Sequence, residues 1–168
     1  KYEDCFEKIR LSSKQLLVLI NDILEISRLD HGIVDMYDQA FNIGDVVSEC
    51  VSTFKSQALR EGKELVFETD VKAQMVIGDA FRLTQILNNI LSNAFKFTRR
   101  GDSVKVSLWR QGTGDNSVYS FEIEDTGIGM SQDFLPKLFE PYEREKRFEA
   151  NTIEGTGLGM PIVKRLVS

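Results

Sequence analysis

Cysteine and histidine are nearly absent, with two of the former and one of the latter in 168 residues. Cys5 and Cys50 are too few and too scattered for a disulfide framework or a thiolate metal site, so reduced thiols are expected. His31 stands alone beside Gly32, the usual setting of a structural or solvent-facing imidazole. No apolar run approaches the roughly 20 residues that a membrane-spanning helix needs. No G-x-x-x-x-G-K-[ST] segment occurs, so a nucleotide would not be held by a phosphate loop of that kind. Repeats and low-complexity stretches are absent too. The net charge of −5 gives no support for nucleic-acid binding. What the chain has is 42% hydrophobic and 28% charged residues, enough for one cored domain, or one with an appendage.

The most informative stretch is residues 82–98, R-L-T-Q-I-L-N-N-I-L-S-N-A-F-K-F-T. Leu83, Ile86, Leu87, Ile90, Leu91 and Ala94 recur at helical spacing and predict a buried stripe. Gln85, Asn89, Asn93 and Lys96 recur at steps of four, four and three, which lines them up on one helix face. Asparagine is a poor helix former, yet Asn88, Asn89 and Asn93 crowd together here. Amide oxygens suit a hard cation, and a neighbouring lysine suits phosphate oxygens. A solvated polar face with incidental asparagines fits the same row when it is taken alone.

Two later stretches tip that balance. Phe121-Glu122-Ile123-Glu124 alternates like a strand and runs into D-T-G-I-G-M, Asp125 to Met130. Further on, G-T-G-L-G-M, Gly155 to Met160, opens a helix over residues 161–167. Glycines at alternate positions remove Cβ atoms where a backbone must approach a ligand. The second set ends at a helix start, where free N–H groups favour an anion.

With these motifs the chain resembles the ATP-binding catalytic domain of bacterial sensor histidine kinases. That group lies within a larger one of gyrase-type topoisomerases, mismatch-repair ATPases and heat-shock chaperone ATPases. N-I-L-S-N-A-F-K-F-T is similar to the N box and D-T-G-I-G-M to the first glycine box. F-E-P-Y-E-R resembles the F box and G-T-G-L-G-M the second glycine box. The resemblance covers nearly the whole chain in the family's order. It implies a two-layer α/β (α+β) sandwich of Bergerat type, a mixed sheet faced by helices, preceded by a long bundle helix.

The remaining segments agree with such a fold. Residues 1–30 read as one helix, with Phe6, Ile9, Ser13, Leu16, Ile20, Ile23 and Ser27 at steps of three and four and Leu17 and Leu24 widening the stripe. A helix of this length cannot bury such a stripe alone. The resemblance makes residues 1–33 the second helix of a dimerisation and phosphotransfer hairpin and residues 34–168 the catalytic domain. His31 is not expected to be the phosphoacceptor, because Gly32 and Ile33 follow it where the family has an acidic residue and a threonine-proline or similar on the other hairpin helix. Residues 34–43 are expected to be extended. Residues 45–61 are expected to form a helix that faces inward with Val47, Cys50, Val51, Phe54 and Ala58 and stops at Gly62. Residues 65–69 and 75–77 read as strands, and residues 103–110 and 118–125 as a hairpin. The family's domain continues beyond the second glycine-box helix with a further hairpin. The sequence is therefore expected to be a piece whose sheet lacks its last strands, leaving an unpaired edge.

Site roles follow from the resemblance. Asp125, expected to be a buried strand-end carboxylate, would accept from the adenine amino group. Gly127, Ile128 and Gly129 would run along the nucleotide. Asn93 would ligate Mg²⁺, Asn89 would orient phosphate or a metal-bound water, and Lys96 would neutralise phosphate charge. Phe97 would pack on the nucleotide. Gly155, Thr156, Gly157, Leu158 and Gly159 would present their backbone to the phosphates. The polar stretch between Met130 and Gly155 reads as a lid, anchored by Phe139, with Arg144 reaching the phosphates. Hydrolysing relatives carry a glutamate one turn before the metal-binding asparagine. Here that position is Asn89, and a carboxamide cannot take a proton from water at neutral pH.

ATP with Mg²⁺ held for an incoming histidine, protein-histidine kinase chemistry, is the reading that results, with Asn89 and Lys96 as its catalytic residues. A conformational ATPase of chaperone or topoisomerase type, or a regulatory nucleotide-binding module, remains open. Implied partners are a second copy through the first helix and a response-regulator receiver domain, with no nucleic acid. The implied location is a cytoplasmic domain of a protein anchored in the inner membrane.

Overall fold

The computed structural model describes residues 2–31, 36–71, 73–114, 117–145 and 155–167. In chain order the elements are α1 (Tyr2–Asp30), β1 (Gln39–Asn42), α2 (Ile43–Glu61), β2 (Glu64–Thr69), β3 (Met75–Gly78), α3 (Ala80–Phe97), β4 (Ser103–Gln111), β5 (Val118–Asp125), a 3-10 turn (Leu135–Lys137) and α4 (Gly159–Val167). They form two compact units. One is Met36–Leu135, and the other joins Lys1–Asp35 to Pro136–Ser168. The expected boundary between residues 33 and 34, like the stop at Gly32, lies outside the described residues.

The unit Met36–Leu135 is an α/β sandwich. Its mixed sheet has the order β2-β4-β5, with β2 parallel and β5 antiparallel to β4. Alternation along β4 buries Val104, Val106 and Leu108, while Leu65 and Phe67 of β2 and Tyr119, Phe121 and Ile123 of β5 pack on the same side. Val47, Cys50, Val51 and Ala58 of α2 and Leu87, Leu91, Ala94 and Phe95 of α3 complete the core. The Phe54 and Phe95 rings meet at 5.1 Å between centroids and join the two helices. On the opposite face of the sheet Lys105 is bound to Glu68 at 2.8 Å. Among the described residues β5 pairs only with β4 and is an edge strand.

A single sheet was expected, but β1 and β3 form a separate antiparallel ribbon. Each strand has four residues and feeds straight into a helix through a capping residue. Asn42 accepts from Gly44 N (3.1 Å) and Asp45 N (3.5 Å), and also from Gln74 N (3.3 Å). Asp79 accepts from Arg82 N (3.0 Å) and, on its other oxygen, from Tyr37 N (3.1 Å). These caps start α2 and α3 two residues earlier than the apolar period indicates. At the far end of α2, Gly62 takes the left-handed conformation (φ +66°), and the Lys63 N–H closes on Ala58 O at 2.9 Å.

In the other unit, α1 leaves its stripe in solvent, with Phe6, Ile9, Leu16, Leu17, Ile20, Ile23 and Leu24 all exposed. α4 lies along α1 and buries Pro161, Ile162 and Val163. An ion pair joins Arg165 of α4 to Asp30 of α1. His31 is exposed at the end of α1, its Nδ1 2.6 Å from Ser27 O.

Candidate nucleotide-binding site

α3 carries the row read from the sequence. Gln85, Asn89, Asn93 and Lys96 are all half-buried, and Gln85 Oε1 accepts from Arg82 Nη1 at 2.9 Å. Asn88 lies off the row, exposed, and takes the Cys50 thiol at 3.2 Å. The buried stripe is Leu87, Leu91, Ala94 and Phe95, with Leu83 packed on the core and Ile86 and Ile90 half-buried. Phe95 was missed by sequence reading, although it continues the step of four from Leu87 and Leu91. Phe97 is half-buried, with the Lys96 ammonium 4.9 Å from its ring centroid. A cation there meets the negative face of the ring.

The first glycine loop docks on the end of this helix. Thr126 N donates to Ser103 O at 3.0 Å, and Ser103 N donates to Thr126 Oγ1 at 2.9 Å. Ile128 N donates to Phe97 O at 3.2 Å. A Cβ on Gly127 would stand 2.9 Å from Phe97 C and closer still to Phe97 O. Gly127 is thus required by the neighbouring helix end, whereas the sequence reading assigned its freedom to a ligand. Gly129 has φ +61° and nothing within 4 Å of its Cβ position. Its backbone is open on that side.

Asp125 corrects one expectation. It is exposed, not buried, because it ends an edge strand. Its Oδ1 accepts from Gly127 N at 2.9 Å, which leaves the outer carboxylate lone pairs in reach of a ligand.

The second glycine box and the F box belong to the unit with α1. Thr156 Oγ1 donates to Asp22 Oδ2 at 3.0 Å and accepts from Leu158 N at 3.2 Å. Burial pushes the Asp22 carboxyl above its ordinary range, against the hydrogen bond from Thr156 and with help from nearby Glu25. Leu158 has a fully buried side chain. Gly157 has φ +71°, and a Cβ there would meet Tyr142 Cα and C at 3.1 Å. Tyr142 N donates to Gly157 O at 3.1 Å, and Tyr142 itself has φ +65°. Gly155 is exposed, and Gly159 is the first residue of α4. Phe139 is exposed, with the Lys164 ammonium 5.6 Å from its ring centroid. Arg144 is exposed, and of the charged run 143–149 only residues 143–145 are described.

So Asn89, Asn93, Lys96, Phe97, Asp125, Gly127, Ile128 and Gly129 stand in one compact unit. Phe139, Arg144, Gly155, Thr156, Gly157, Leu158 and Gly159 stand in the other. The first set combines a half-buried carboxamide and lysine row with an exposed strand-end carboxylate and an open glycine backbone, groups whose chemistry suits a nucleotide.

That site and the sandwich beneath it define a class. Residues 78–168 match the family described as histidine kinase-, DNA gyrase B-, and HSP90-like ATPase, and the chain belongs to it. The chain is 36% identical over 161 residues to the autoinducer 2 sensor kinase/phosphatase LuxQ of Vibrio parahaemolyticus, an alignment covering 95% of this chain and 19% of that protein. It therefore spans about a fifth of that relative's length. Among solved structures, full-length ShkA in complex with AMPPNP superposes with a TM-score of 0.76 at 28% identity, covering 95% of this chain and 32% of ShkA. Histidine kinase ThkA in complex with the response regulator protein TrrA superposes at 0.65 with 21% identity, covering 81% of this chain and 38% of ThkA. Among the described residues no helix is long and apolar enough to cross a membrane.

Proposed function

We propose that the chain is the ATP-binding catalytic domain of a sensor histidine kinase. It would transfer the γ-phosphate of ATP to a histidine on a hairpin helix for relay to a response-regulator aspartate. The observation that carries this is the α3 row, in which Asn89 stands one turn before Asn93 and Lys96 on a half-buried face. The row has amide oxygens and an ammonium, and no carboxylate to deprotonate water. It suits the positioning of a phosphoryl group for a nucleophile that brings its own basicity.

In this reading Asn93 supplies an amide oxygen to Mg²⁺, which when bound would draw charge off the phosphate oxygens. Asn89 orients the phosphates and Lys96 neutralises them. Asp125 accepts from the adenine amino group, and the backbone at Gly129 lies along the base. Phe97 packs on the nucleotide. The family resemblance supports phosphate contacts from the backbone of Gly155, Thr156, Gly157, Leu158 and Gly159 and from Arg144, with Phe139 as the anchor of the lid. The exposed stripe of α1 supports a homodimer through that helix, since a row of exposed apolar side chains along one helix favours a packing partner. The complex of ThkA with TrrA supports a receiver domain as the acceptor. The chain's coverage of 19% of the sensor kinase relative supports a longer protein, which the family resemblance would anchor in the inner membrane with this domain in the cytoplasm.

Titration calorimetry with AMPPNP, with and without Mg²⁺, tests the reading on this chain and on Asp125→Asn. Binding that requires Mg²⁺ and is lost in Asp125→Asn is expected. Transfer of labelled γ-phosphate to a separately supplied hairpin histidine then follows. Release of free phosphate without an acceptor would place the chain with the hydrolysing members instead, and a folded chain that binds nothing would overturn the reading.

A further inference from the structure

Lys63 follows the left-handed Gly62 at the end of α2, and its side chain is only 6% exposed. An ammonium so deeply placed needs partners. Its Nζ donates to Phe95 O, lies 2.7 Å from Glu61 Oε2 and stands 5.5 Å from the Phe95 ring centroid. The hydrogen bond from Lys63 in turn holds the Glu61 carboxyl below its ordinary range. Phe95 O belongs to the last turn of α3. Carbonyls there have no partner within the helix, and the helix dipole favours a cation.

Phe95 O also accepts from Thr98 Oγ1, at the cap of α3 itself, at 3.2 Å, and the neighbouring carbonyls of that turn are claimed too. Ala94 O accepts from Thr98 Oγ1 at 2.8 Å, and Phe97 O accepts from Ile128 N at 3.2 Å. Gly101 N donates to Gly62 O at 2.8 Å, so the turn after α2 and the turn after α3 are bound together. One helical turn thus carries Asn93 and Lys96 on its outer face and the docking point of the first glycine loop at its end. Its Phe95 carbonyl is held from beneath by a lysine of the turn between α2 and β2.

We propose that Lys63 is a positioning residue of the nucleotide site. Its ammonium fixes the last turn of α3, and through that turn it sets the place of Lys96 and of the loop Gly127–Gly129. Lys63 lies outside the row of ligand-facing side chains and acts only through this turn. The proposal rests on the nucleotide-binding reading above. A neutral side chain of the same length would fill the space but leave Phe95 O and Glu61 without their cation. The helix end would then be free to shift by the few tenths of an ångström that the contact at Gly127 resists.

The test compares wild type with Lys63→Met, Lys63→Arg and Leu108→Ala, a core truncation of β4 remote from the α3 end. Three quantities are read: melting temperature, AMPPNP affinity in Mg²⁺, and amide hydrogen exchange of residues 125–130. Lys63→Met is expected to weaken binding about tenfold, the equivalent of about 1.4 kcal/mol, and to speed exchange selectively at Ile128. Lys63→Arg is expected to recover most of both. Leu108→Ala is expected to lower the melting temperature at least as much while leaving affinity and relative exchange at Ile128 near wild type. Equal binding by wild type and Lys63→Met overturns the proposal alone. So does a loss of affinity that tracks melting temperature identically in Lys63→Met and Leu108→Ala. A folded wild type that binds no analogue overturns the nucleotide reading and this proposal together.

Discussion

Gly127→Ala should damage the protein far more than its single methyl suggests. The new Cβ would lie 2.8 Å from Asp125 Oδ1, 2.9 Å from Phe97 C and closer to Phe97 O. Backbone cannot rotate out of the way as a side chain can, so the loop itself must move. Movement stretches the bond from Ile128 N to Phe97 O (3.2 Å) and the bond from Gly127 N to Asp125 Oδ1 (2.9 Å). Two hydrogen bonds at about 1 kcal/mol each, with overpacking of about 1–3 kcal/mol, exceed the roughly 0.4–1 kcal/mol gained from a stiffer unfolded chain. A net loss of about 3 kcal/mol lowers the melting temperature by roughly 6–12 °C in a protein of this size. Differential scanning calorimetry reads it directly. Gly129→Ala is the internal comparison, since nothing stands within 4 Å of its Cβ position and only φ +61° opposes the substitution. It should cost about 1–2 kcal/mol. A Gly127→Ala protein that melts within about 2 °C of wild type, or above Gly129→Ala, would refute the claim that the helix end demands glycine.

Asn42→Ala removes a side-chain oxygen that accepts from three backbone N–H groups, those of Gly44, Asp45 and Gln74. It should lower stability by about 1–2 kcal/mol, seen in urea as a lower midpoint with an unchanged slope. Asp22→Asn should not destabilise the chain at neutral pH. Burial raises the folded carboxyl above its ordinary 3.8, so its contribution is fully present below that value and is lost as pH rises through the folded one. An asparagine oxygen still accepts from Thr156 and carries no charge to desolvate. Melting curves at several pH values should show the variant equal to wild type in acid and equal or higher at neutral pH. A lower melting temperature at neutral pH would show that the charge strengthens the Thr156 bond by more than burial penalises it.

Much of the site is legible in the sequence because its signals are local. The helical period of residues 82–98 and the alternation of residues 103–110 and 118–125 each depend on neighbours a few positions away. α2 even buries four of the five residues its period selects, with Phe54 half-buried against them. The glycine boxes are legible for the same reason, as are the order of the motifs and the absence of a carboxylate at Asn89. What stayed hidden depends on segments far apart in sequence. Whether β1 and β3 join β2-β4-β5 is settled by capping residues that turn each short strand into a helix. Asp125 is exposed because β5 is an edge, a property of the sheet and not of D-T-G. Gly127 is required by Phe97 O, 30 positions upstream. Lys63, a lone lysine after a glycine in sequence, becomes the ligand of a helix end only when α2 and α3 stop side by side. Residue periods and turn chemistry therefore determined which elements form and which side chains share the candidate face of α3. Only tertiary packing decided which carbonyl meets which donor, because that pairing exists once the helix ends and the strand edge are brought within hydrogen-bond reach.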